Sequence, residues 1–244
     1  MSLDFSDPRR RLIVALDVDS PAEALRLAGL VKPFAGFLKI GLQLFSAAGP
    51  DLVRQLAGQG HGIFLDLKYH DIPNTVLSAA KAAAGMGVSM FTVHCLNGSR
   101  ALANCLQGLD DHCRNHGLQA PEMVGVTVLT SLLPSDLGGC GIIGNPAREA
   151  EILAGGAYRS GLRTFVASPR EAGLLKDSFP GIAVITPGIR PAGAIHDDQA
   201  RVDTPAGAIR AGADALVVGR PIVQAADPAE AARQVLDEIG MAAS

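Results

Sequence analysis

Eight short apolar runs, each followed by a helix-like segment, constrain this chain more than any other feature. They cover residues 12–18, 37–42, 62–67, 89–95, 123–129, 164–167, 183–186 and 215–218. The runs are rich in Val, Ile, Leu and Phe, and several are apolar on both faces, as strands of a buried parallel sheet must be. The helix starts between them share a pattern. Ser20-Pro21-Ala22-Glu23, Ser168-Pro169-Arg170-Glu171 and Asp227-Pro228-Ala229-Glu230 each place a cap, then Pro at the first helical position, then Glu at the third. That order satisfies the orphan N–H groups of a helix start. Asn145-Pro146 and Thr204-Pro205 are partial versions, and Gly117, Gly161 and Gly212 mark helix ends. Ala- and Leu-rich segments such as 76–86 and 147–153 fill the helical slots. Eight strand–helix units without a composition break predict an α/β fold, a (β/α)8 barrel of the TIM type, as a single domain over residues 1–244. An open doubly wound sheet is the alternative. It would usually carry G-x-G-x-x-G after its first strand, where this chain has Asp17-Val18-Asp19-Ser20.

Composition narrows the function classes. With 244 residues, 48% of them hydrophobic, the chain can bury one large core. A net charge of −3 argues against a nucleic-acid surface, which needs a basic excess. Charges interrupt every apolar run before it reaches membrane-spanning length, and residues 1–11 hold no apolar signal region. The four cysteines, Cys95, Cys105, Cys113 and Cys140, lack C-x-x-C spacing, and the six histidines do not cluster as zinc ligands do. They are expected to be reduced thiols of a cytoplasmic protein, with Cys95 buried and Cys140 in a Gly-rich loop.

In a barrel, ligand chemistry lies at the C-terminal strand ends. The third run ends in Asp66 and Lys68, which share a face if the strand continues, because residues i and i+2 do. Asp71 follows, just before Ile72-Pro73 breaks the strand. Asp17 ends the first strand and Lys39 lies in the second, so two lysines and three aspartates head for one mouth. Buried charges are expensive unless paired. A plain salt bridge trimming a strand end is the bland reading, and ion-pair networks of that kind do occur for structure. His94 and Asn97 end the fourth strand, and a lone histidine there is more often a hydrogen-bonded structural one. Thr130 and Ser131 follow the fifth strand, and Pro187 and Arg190 the seventh. After the eighth, Gly219 allows a ligand close to the backbone and Arg220 offers a bidentate donor to phosphate oxygens. The amides at Pro221-Ile222 would point at the same anion.

These residues match one family. Asp66-Leu67-Lys68-Tyr69-His70-Asp71-Ile72-Pro73-Asn74-Thr75 resembles the D-x-K-x-x-D-I-P-N-T signature of the orotidine 5′-monophosphate decarboxylases. Residues 126–131, 186–191 and 218–221 resemble its other blocks, in the same order, and the likeness runs from about Leu12 to Pro228. The loop 132–144 and the stretch 192–198 match least. The resemblance implies cofactor-free decarboxylation of orotidine 5′-monophosphate to UMP and CO2, the last step of de novo UMP synthesis. It makes Lys68 the proton donor and completes the catalytic set with Lys39, Asp66 and Asp71. It gives the ribose hydroxyls to Asp17, Lys39 and Thr75, and the pyrimidine to Thr130 and Ser131. Arg190, Gln199, Gly219 and Arg220 receive the phosphate, with Pro187 beside them. It also implies a homodimer in which Asp71 reaches the partner's site. The loop 191–203, with Gly193 and several alanines, is long enough to be a lid. Two rivals stay open. A Mg2+-dependent sugar-phosphate decarboxylase or aldolase of the same barrel superfamily shares D-x-K-x-x-D. A non-catalytic nucleotide-binding barrel would need the arginines alone.

Overall fold

The computed structural model of the chain describes residues 3–142, 144–190 and 203–243. Eight parallel strands close into a barrel in sequence order: β1 (Leu12–Ala15), β2 (Phe37–Gly41), β3 (Gly62–Tyr69), β4 (Met90–His94), β5 (Glu122–Val126), β6 (Thr164–Val166), β7 (Ala183–Thr186) and β8 (Ala215–Val218). Closure is made by β1 against β8, with Val14 opposite Val218. The helices between them are α1 (Pro21–Val31), α2 (Leu42–Gly58), α3 (Pro73–Gly85), α4 (Ser99–His116), α5 (Pro134–Gly139), α6 (Pro146–Arg159), α7 (Pro169–Ser178), α8 (Pro205–Arg210), α9 (Arg220–Val223) and α10 (Pro228–Ala243). The repeated cap pattern works by halves: each start keeps one of the two reciprocal bonds, and the Ser168 hydroxyl is buried without a partner among the described residues. The Ser20 hydroxyl accepts the Glu23 N–H, Glu171 accepts the Ser168 N–H, and Asp227 accepts from Ala229 and Glu230. Gly117 ends α4 in the left-handed region, at φ 64°.

Two layers of core follow from strand alternation. Leu12, Val14, Leu38, Ile40, Leu65 and Phe91 face the helices. Ile13, Ala15, Phe37, Phe64, Met90, Val124, Ile185, Ala215 and Val217 fill the barrel interior. The inward face of each strand then continues upward into the mouth. On β2 it runs from Phe37 to Lys39, on β3 from Phe64 to Asp66, and on β4 from Met90 to Thr92.

The strand limits differ from the sequence expectation where the chain leaves the sheet. β1 stops at Ala15 and β5 at Val126, three residues short in each case, because ladder pairing with the neighbouring strands ends there. β3 instead runs two residues beyond Leu67, to Tyr69. It does so through a bulge. Leu65 pairs with Phe91 and Tyr69 with Val93, so Asp66, Leu67 and Lys68 stand opposite Thr92 alone. Lys68 takes φ 51°, the sole positive-φ non-glycine among the described residues. The loop 132–144 carries the short helix α5, and β8 is followed by the single turn α9 before α10. All four cysteines are free, three buried and Cys140 exposed.

His94 at the end of β4 is structural. Its Nδ1 accepts the Leu96 N–H at 3.3 Å and its ring stacks on His70 with centroids 5.4 Å apart. Burial lowers its proton affinity first, and then the neighbouring His70 and Lys68 lower it further. A histidine harder to protonate when folded contributes stability above the ordinary histidine pKa of about 6.5, and that contribution is lost as pH falls through its depressed folded value. Urea unfolding of His94→Gln at pH 7 and pH 5 should therefore show a smaller acid-side loss than wild type.

Close packing at the barrel floor gives a second expectation. A Cβ on Gly36 would lie 2.5 Å from the Arg10 Cα, whereas nothing lies within 4 Å of one on Gly29 in α1. By urea denaturation, Gly36→Ala should lose about 1–3 kcal/mol to overpacking. Gly29→Ala should gain roughly 0.5–1 kcal/mol of helix propensity.

Candidate active site

The mouth of the barrel holds a cleft of about 700 Å3. One rim is charged by the first three strands. Lys39, inward-facing on β2, places Nζ 3.0 Å from Asp17 Oδ1 and 3.7 Å from Asp66 Oδ2. Lys68 Nζ donates to Asp66 Oδ1 at 2.9 Å. The side chains thus form a chain of alternating sign, Asp17, Lys39, Asp66, Lys68. The two lysines differ in access. Lys39 keeps 11% of its side-chain surface and is held by two carboxylates, while Lys68 keeps 32% and pairs with one.

The opposite rim comes from β7, β8 and the turns after them. Pro187, Gly188, Ile189 and Arg190 face Gly219, Arg220 and Gln224 across the cleft wall. Arg190 is anchored through its main chain, whose N–H donates to the Asp203 carbonyl at 2.9 Å. Its Nε is buried without a hydrogen-bond partner among the described residues. Between the rims, Val126, Val128, Leu129, Thr130 and Ser131 form a mostly apolar wall.

Of the residues singled out from the sequence, Asp17, Lys39, Asp66, Lys68, Thr130, Ser131, Pro187, Arg190, Gly219 and Arg220 meet at this cleft. The remainder of the signature does not. Leu67 is turned outward and packs with Tyr69 against the helix-facing core. Tyr69 contacts Phe91, with ring centroids 5.7 Å apart, and burial pushes its hydroxyl pKa up to about 12. His70, Asp71, Ile72, Pro73, Asn74 and Thr75 are exposed and do not line the cleft. The sequence suggested that Asp71 gathers with Asp66 and Lys68 at one strand end. Within this chain it makes no ion pair among the described residues. Its Oδ1 accepts the Ile72 N–H at 2.6 Å and its own N–H donates to Asn97, because the backbone has already left the barrel to start α3. The anion-binding amides expected at Pro221-Ile222 are corrected too. Proline has no N–H, and that of Ile222 is spent on the Gly219 carbonyl at 2.8 Å. Gln199 and almost all of the expected lid lie outside the described residues.

Three contributors escaped the sequence reading. Asp19 and Gln43 line the cleft and bond to each other at 2.6 Å. Asp19 follows Asp17 by two residues, so the same-face spacing that selected Asp66 and Lys68 was available there. Thr92 is fully buried, accepts the Lys68 N–H at 2.8 Å and donates to Asp66 Oδ1 at 3.1 Å. A threonine in a strand carries no signal of its own. Among the described residues, no group of three or more His, Cys, Asp or Glu side chains is placed to hold a metal ion.

Known proteins match this arrangement. The pattern of the family described as orotidine 5′-phosphate decarboxylase / HUMPS matches residues 10–235. An orotidine 5′-phosphate decarboxylase of Pseudomonas aeruginosa (strain LESB58) is 45% identical over 229 residues, covering 94% of this chain and 97% of that protein. One from Pseudomonas syringae pv. tomato is 46% identical over 228 residues, with 93% and 97% covered. The crystal structure of orotidine 5′-phosphate decarboxylase from Lactobacillus acidophilus superposes with a TM-score of 0.82 at 36% identity, covering 94% of this chain and 99% of that one. With a likeness that spans both rims of the cleft and the strands that build them, this chain belongs to the orotidine 5′-phosphate decarboxylase / HUMPS family.

Proposed function

We propose that the chain converts orotidine 5′-monophosphate to UMP and CO2, the last step of de novo UMP synthesis, with no cofactor and with Lys68 as proton donor. The observation that carries this reading is the alternating chain of Asp17, Lys39, Asp66 and Lys68 facing an arginine-bearing rim across one cleft. Arg190 and Arg220 take the phosphate, Asp17 and Lys39 the ribose hydroxyls, and Thr130 and Ser131 the pyrimidine. The cleft's size suits a nucleotide.

Loss of CO2 breaks a carbon–carbon bond and leaves its electron pair on a ring carbon with poor delocalisation. A fixed cation at that spot lowers the barrier more than any group that must reorganise. The Lys68 ammonium supplies it and then passes a proton to the carbon; its solvent access lets it take one back. Lys39 is too enclosed for that exchange and acts as the fixed charge that holds Asp66 in place. Asp66 stands beside the leaving carboxylate. Two like charges about 4 Å apart repel by roughly 4 kcal/mol at an effective dielectric of 20, and the repulsion ends as CO2 departs. Phosphate binding far from the reacting carbon provides energy to organise this cluster.

Asp71 acts in a homodimer. It sits beside Ile72, 67% exposed, and Leu96, 48% exposed, on a face that a second copy would cover. Such a copy carries Asp71 and Thr75 to the partner's cleft. The proteins sharing this barrel that act on sugar phosphates use the same D-x-K-x-x-D; the continuation Ile72-Pro73-Asn74-Thr75 and the names of the relatives favour the nucleotide. We place the protein in the cytoplasm. Among the described residues no helix is long and apolar enough to cross a membrane.

In EDTA, the purified protein should discharge the ultraviolet absorbance of orotidine 5′-monophosphate, and Lys68→Ala should not. Conversion that requires Mg2+, or none at all, would shift the reading to sugar phosphates. Binding of UMP without any turnover would favour the non-catalytic barrel. Dimerisation through Asp71 has its own assay. Lys68→Ala and Asp71→Ala, each inactive alone, should regain about a quarter of wild-type activity when mixed and allowed to exchange subunits, since half the dimers are mixed and each mixed dimer rebuilds one intact site. Absence of recovery with proven subunit exchange would put Asp71 outside the partner's site.

A further inference from the structure

We propose that Thr92 is a positioning residue for the proton donor, locking the β3 bulge so that Lys68 stands against Asp66 in the cleft. The proposal rests on the decarboxylase reading for what Lys68 does there.

The bulge sets the problem. With Asp66, Leu67 and Lys68 opposite Thr92 alone, the ladder cannot serve every backbone group of the three. Lys68 also adopts φ 51°, a region that long L side chains avoid. Something must hold it there. The Thr92 hydroxyl accepts the Lys68 N–H at 2.8 Å, replacing the missing ladder bond. An amide can only donate, so the single hydroxyl proton is left for Asp66 Oδ1, 3.1 Å away. That same oxygen receives Lys68 Nζ at 2.9 Å. The result is a closed loop: backbone N–H to hydroxyl, hydroxyl to carboxylate, carboxylate to ammonium, and back along the Lys68 side chain. Both ends of Lys68 are thereby tied to one buried atom pair.

The choice of residue supports this. Met90, below Thr92 on the same face, belongs to an apolar layer with Phe37, Phe64 and Val124. Valine would fill the position of Thr92 equally well, and a fully buried hydroxyl is costly without partners. Thr92 does not line the cleft, so it touches no substrate and acts through Asp66 and Lys68.

Steady-state kinetics of Thr92→Val and Thr92→Ser on orotidine 5′-monophosphate test the proposal. Thr92→Val should lower kcat on the order of tenfold to a hundredfold, the usual effect of a small misplacement of a reacting group. KM should change little, because the phosphate arginines sit on the other rim. Thr92→Ser, which keeps the hydroxyl, should recover most of the loss. Thr92→Val combined with Asp66→Asn should be clearly less than additive. An unchanged kcat in folded Thr92→Val, an equal loss in Ser and Val, or strict additivity would each overturn the proposal. Should Thr92→Val not fold, amide exchange at Lys68 in the wild-type protein decides: slow exchange supports the bond to Thr92, and exchange at the rate of a free amide refutes it. That measurement needs no turnover. An inactive wild type would thus refute the decarboxylase reading while leaving this one testable, and an active wild type with an unaffected Thr92→Val refutes this one alone.

Discussion

Lys39 sits in the barrel with almost no solvent, and its charge is tolerable there because Asp17 and Asp66 flank it. The rest of the mouth depends on that pairing. Removing water from an ammonium costs several kcal/mol, and removing one partner of such a cluster leaves a bare buried charge, typically a loss of about 3–5 kcal/mol. Asp66 is therefore held from two sides, by Lys39 and by Lys68, and cannot swing away from either without exposing the other. The apolar plug beneath, with Phe37 and Phe64 directly below Lys39 and Asp66 on their own strands, excludes water from the floor of the site. It makes each of these charges count for more than it would at a surface.

The barrel divides labour by strand. The first three strands carry the charges that suit chemistry at a carbon, and the seventh and eighth carry the arginines that suit a phosphate. The fifth carries an apolar wall between them. The division keeps the arginines of one rim apart from the charged cluster of the other. The fourth strand contributes no group to the cleft surface. Its part is internal: Thr92 meets the bulge of β3, and His94 closes the turn that follows.

Asp71 and its neighbours illustrate how a signature contiguous in sequence divides in space. The signature that most resembles the family is ten residues long, yet only its first and third members face the chain's own cleft. Two packing reasons separate them. Leu67 and Tyr69 alternate outward into the helix-facing core, and from residue 70 onward the backbone is committed to starting α3.

The barrel itself was legible from local chemistry. Alternating apolar runs, Pro-led helix starts and glycines at helix ends are short-range signals, and they place the elements even where a cap hydroxyl such as that of Ser168 stays unbonded. The inward direction of Lys39 and Asp66 and the arginines at the end of the chain also follow from strand period and order. Tertiary structure alone decided the rest. It cut β1 and β5 short and drew β3 onward through a bulge, because strand length at a barrel rim depends on what neighbouring strands can pair with. It sent Ile222's N–H to Gly219, a bond that no spacing rule announces. Above all it put Thr92 opposite three residues of another strand, 24 positions back to Lys68. A threonine becomes a clamp only through what faces it across the sheet, and the sequence records that partner nowhere near it.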